Sequence, residues 1–66
     1  MPGEELRRRR EALGLSQPKL AAQLGVHLNT VWRWEQTGVP TRQARVVSLD
    51  LDELEQQREE PEAQRG

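Results

Sequence analysis

Sixty-six residues with no Cys, Phe or Tyr can form one domain at most, and neither a disulfide nor a thiolate-held metal can staple it. A single His cannot complete a zinc site, no apolar run approaches the ~20 residues of a membrane span, and the opening MPGEELRRRR lacks a signal peptide's apolar core. The expectation is a cytoplasmic protein with no metal and no cofactor.

The net charge of −1 averages two unlike regions. Residues 1–45 hold eight Arg and Lys against four Glu, a surplus of four positive charges. Residues 46–66 hold two Arg against seven Asp and Glu, a surplus of five negative charges. The first region suits a phosphate backbone and the second is repelled by one.

Gly14, Gly25 and Gly38 each follow a stretch with helical apolar spacing and close it. Helix 1 is predicted over 4–13, helix 2 over 17–24 and helix 3 over 28–36. Ser16 caps helix 2, Leu15 and Leu20 stand in a hydrophobic-staple relation, and Pro18 falls in the first turn, where its missing N–H costs little. His27 takes the N-cap position of helix 3, flanked by Val26 and Val31. Pro40 stops helix 3, and Thr41 caps a short helix 4 that buries Ala44 and Val47. Asp50 with Glu53 reads as a capping box, and Leu49 with Leu54 as its staple, opening helix 5. From Gln56 the sequence QQREEPEAQRG has no apolar residue but Ala63 and is interrupted by Pro61. The expected organisation is a folded domain over 1–55 and a disordered acidic tail over 56–66.

Helix 2, the turn at Gly25 and helix 3 share the apolar set Leu20, Ala21, Leu24, Val26, Val31 and Trp34. Small Ala21 lets the two helices cross closely, which is a helix-turn-helix arrangement whose second helix suits the DNA major groove. Residues ~100° apart put Trp32 and Trp34 on nearly opposite faces. Trp34 aligns with Val31 and faces the core, and Trp32 aligns with Leu28, Asn29 and Arg33 and faces outward. That outward row suits base reading: Arg33 pairs bidentately with guanine, Asn29 with adenine, and Leu28 packs on a thymine methyl. Trp32 meets sugar, phosphate or a base methyl, the alternative being a neighbouring subunit. Gln17, His27, Thr30, Thr37, Arg42 and Gln43 are assigned to flanking phosphates.

The stretch GLSQPKLAAQLGVHLNTVWRWEQTGVP resembles the DNA-binding domain of phage repressors and Cro proteins, the xenobiotic-response-element class of helix-turn-helix regulators. The match runs from about Leu6 to Pro40. It implies an all-α, lambda-repressor-like domain of four to five helices that binds a palindromic operator as a homodimer, in the cytoplasm and on the nucleoid when bound. It also implies a structural ion pair between Arg10 and Glu35 beneath the DNA face. His27 departs from the usual hydroxyl cap, and TGVPTRQA is similar to small Cro-like members, which points to a Cro-like repressor.

The other three arginines of the RRRR run are assigned mainly to solvent, with Arg8 or Arg9 able to reach a phosphate. No carboxylate has a partner acid, nucleophile or metal beside it, so no enzyme is expected. A reading of a different class is an antitoxin-like adaptor whose acidic tail binds a partner protein, DNA binding then being autoregulatory.

Overall fold

The computed structural model describes residues 1–59, which form four helices: α1 (Gly3–Ala12), α2 (Gln17–Leu24), α3 (Leu28–Thr37) and α4 (Thr41–Glu59). Their apolar faces meet in one core of Leu6, Leu13, Leu20, Ala21, Val31, Trp34, Val39, Val47 and Leu51. Every helix contributes to it, as a small all-α domain requires to bury enough apolar surface.

Local chemistry sets the boundaries of α1 and α2. Glu4 and Glu5 lie in the first turn of α1 and Arg9 and Arg10 in its last, each complementing the helix dipole. After α1, Leu15 N–H reaches back to Arg10 C=O (3.2 Å) and Gly14 N–H to Glu11 C=O (2.9 Å). After α2, Val26 N–H bonds Ala21 C=O (2.9 Å) and Gly25 N–H bonds Ala22 C=O (3.3 Å), with Gly25 at φ 71°. Both ends are Schellman closures, which need a residue at ease with positive φ. Ser16 starts α2, its hydroxyl accepting from Lys19 N–H at 3.3 Å, with Pro18 in the first turn.

Two expectations are corrected. His27 occupies the N-cap position of α3, but its side chain makes no capping bond; its backbone carbonyl alone accepts from Thr30 and Val31. An imidazole lacks the short side-chain oxygen that reaches back to the first turn.

The second correction concerns the C-terminal half. Helices 4 and 5 are one unbroken helix, and Thr41 is its first residue rather than its cap, with Pro40 C=O accepting from Gln43 and Ala44. Ala44, Val47, Leu51 and Leu54 follow a 3-4-3 spacing and pack on or in the core as one stripe across Asp50. Asp in a helix interior costs well under ~1 kcal/mol, less than burying Val47 and Leu51 together returns. The helix also includes residues 56–59; the remainder of the expected tail lies outside the described residues.

Gly3 has a role that no local pattern announces. A Cβ there would fall on the Glu35 and Trp34 carbonyls at the end of α3. The first turn of α1 therefore lies directly against the last turn of α3, and Val39 N–H bonds Met1 C=O at 2.8 Å beside it. Among the described residues, no helix is long and apolar enough to cross a membrane.

Candidate nucleic-acid interface

The surface in question is the outer face of α3. Val31 and Trp34 anchor its inner face, and Trp34 is 6% exposed. Trp32 is 52% exposed, the opposite assignment for a ring only two positions away. Leu28, Asn29 and Arg33 are exposed beside it. Gln36 is exposed too, four positions after Trp32 and seven after Asn29, and extends the same row. It was missed in the sequence, although i+7 spacing alone would have found it.

Beneath this row, α3 is held by a buried ion pair. Arg10 Nε donates to Glu35 Oε2 at 2.6 Å and Arg10 Nη2 to Oε1 at 3.3 Å, with the Glu35 side chain 4% and that of Arg10 14% exposed. Arg10 Nη1 also donates to Leu15 C=O at 3.0 Å, and Gln17 Nε2 donates to Glu35 Oε1 at 2.9 Å. Among the described residues, no buried side-chain polar atom lacks a partner. The pair fixes the C-terminal half of α3 to α1 and to the start of α2. A desolvated bidentate pair of this kind gives geometry more surely than stability.

The residues assigned to phosphate separate into groups. Thr30, Thr37 and Gln43 come together with Arg33 around an open cleft between α3 and the start of α4. Thr37 differs from its neighbours in that its hydroxyl already donates to Arg33 C=O at 2.9 Å. A phosphate oxygen needs a donor, and that proton is in use. Gln17 gives one side-chain N–H to Glu35; its backbone N–H is the donor in the first turn of α2 with no partner among the described residues. His27 is exposed at the start of α3, where the Leu28 and Asn29 N–H groups have no partner among the described residues. Arg42 lies apart, around a different groove with Leu24, Val26, Val46 and Asp50.

The arginine run is mostly engaged within the protein. Arg7 pairs with Glu11 at 3.2 Å and Arg10 with Glu35. Arg9 corrects the expectation of solvent or phosphate: it clamps α1 to α4, donating to Glu55 at 2.8 Å and Asp52 at 2.6 Å. The bond to Glu55 holds its guanidinium above arginine's ordinary pKa. One arginine of the basic region thus meets two carboxylates of the acidic region across the α1–α4 contact.

A helix–turn–helix unit with its second helix braced from behind and its outer face free defines the class of fold. The family model described as "Helix-turn-helix domain" matches residues 3–55, and the chain belongs to that family. Searches of curated proteins and of solved structures return no significant match to this chain.

Proposed function

We propose that this protein is a sequence-specific DNA-binding transcriptional regulator, a small Cro-like repressor that places α3 in the major groove of a palindromic operator as a homodimer. The observation that supports this most is the division of α3: Trp34 and Val31 buried, Leu28, Asn29, Trp32 and Arg33 outside. A helix with an arginine and an asparagine on its free face has the donors and acceptors that base edges match.

In this reading Arg33 takes a guanine edge and Asn29 an adenine edge. Leu28 and Trp32 supply apolar contact to thymine methyls and sugars. Thr30 and Gln43 meet phosphates on one side of the groove, and His27 with the neighbouring N–H groups meets them on another. Gln17 contributes its backbone N–H. The protein acts in the cytoplasm, on the nucleoid when bound.

Selection of binding sites from a random duplex pool at ~0.15 M salt, where non-specific attraction is largely screened, tests the proposal. The expected result is an inverted repeat with half-sites one helical turn, ~34 Å, apart. Recovery of no common sequence by the purified full chain would refute it.

A further inference from the structure

The face of α4 turned away from the core is unusual. Val46 and Leu49 are each 59% exposed, and Arg42 and Glu53 flank them on the same stripe at spacings of four, three and four. That stripe is centred about 150° round the helix from the Ala44, Val47, Leu51 and Leu54 stripe that packs on the core, and its Arg42 and Val46 also border the groove with Leu24 and Val26. The charges are arranged against the helix's own interest. Arg42 and Arg45, three apart, are like charges in the first turns, at the positive end of the dipole, where no acidic residue accompanies them. Asp50 and Glu53 are a second like-charged pair at the same spacing. None of these four side chains has an ion-pair partner among the described residues.

We infer that a second copy of this chain packs antiparallel on α4, about a two-fold axis between residues 47 and 48. In that arrangement Val46 lies against Leu49 of the second copy, and Arg42 lies against Glu53 of the second copy. The two-fold repeats each contact, giving two ion pairs around four apolar side chains. The stripe reads Arg, Val, Leu, Glu from end to end, so only reversal matches it with itself; a parallel pairing would set arginine on arginine and glutamate on glutamate. This isologous self-complementarity selects a second copy over an unrelated partner. It also accounts for Arg42 lying apart from the phosphate-facing cleft. Two apolar side chains from each copy make a contact smaller than the roughly 1,200 Å² of a standard interface, so the dimer is weak and gains on the monomer only as the concentration rises.

The inference does not rest on DNA binding, and its test uses the full chain without DNA. Sedimentation equilibrium over a concentration series should show monomer and dimer in exchange. Glu53→Arg should weaken association at least about tenfold, because it sets like charges together twice. Arg42→Glu combined with Glu53→Arg should restore it. The two positions are about 16 Å apart along one helix, so rescue can only act between copies. Circular dichroism monitors the helix content of each variant. A wild-type mass that stays monomeric at every concentration overturns the inference. So does a dimer indifferent to Glu53→Arg, as another surface would give, or a folded double variant that remains monomeric, as expected if Arg42 serves only phosphate. A wild-type monomer that still selects an operator would separate failure here from failure of the DNA reading.

Discussion

Trp32 and Trp34 differ only by two steps along a helix, yet their substitution should have opposite consequences. Trp34→Ala should cost about 3–5 kcal/mol, comparable with the whole stability of a domain this size, and leave the chain largely unfolded. Trp32→Ala should stay within about 0.5 kcal/mol of wild type. Urea titration followed by circular dichroism checks both, and a cooperative transition retained by Trp34→Ala would contradict the burial described. Gly3→Ala should cost about 1–3 kcal/mol, since the added methyl meets the Glu35 carbonyl and either α1 or α3 must shift. An unchanged urea midpoint would mean that α1 does not lie against that carbonyl. The tryptophan faces are legible in the sequence because helical phase is a local property. Gly3 is not, because what crowds it lies more than thirty positions away.

At the scale of the element, α4 shows how a correct local pattern can mislead. Asp50-x-x-Glu53 has the spacing of a capping box, but the same spacing occurs inside helices, and what decides is whether anything interrupts the helix. No Gly or Pro lies between residues 41 and 59, and the buried stripe continues in phase through Asp50. Arg9 adds a requirement for continuity: its partners Asp52 and Glu55 sit three apart on one face, positioned by the same helix that buries Val47. Asp50→Pro should therefore destabilise the protein by about 3 kcal/mol or more, through a lost hydrogen bond and a clash with the preceding turn. Were Asp50 a true N-cap, the change would cost far less. By contrast α2 and the turn to α3 are legible residue by residue. Ser16 and Gly25 act through bonds to their own neighbours and Pro18 through its fixed φ, and nothing distant competes with them.

For the whole molecule, the surplus of positive charge over residues 1–45 is a poor guide to the surface that meets DNA. Arg10 is already offset within that region by Glu35, where the pair ties α1 to α3, and Arg9 is drawn off to Asp52 and Glu55, tying α1 to α4. Long-range pairing of this kind cannot be read from a run of four arginines. The ion pair behind α3 makes its own prediction. Glu35→Leu should cost about 3–5 kcal/mol by leaving Arg10 buried without its partner, whereas adding Arg10→Met to it should recover most of that loss. Additive losses in the double-mutant cycle would show that the two side chains act independently.

The free face of α3 is proposed to read bases, with Arg33 as its most specific contact. The direct measurement is the affinity of Arg33→Ala for the selected operator, for each single-base variant of it, and for unrelated duplex at one salt concentration. If Arg33 reads a base, the expected result is a loss of about 1–3 kcal/mol on the operator, no further loss when one particular base pair is changed, and unaltered affinity for unrelated duplex. An equal loss on every sequence would contradict it, making Arg33 a phosphate contact and α3 something other than the reading helix.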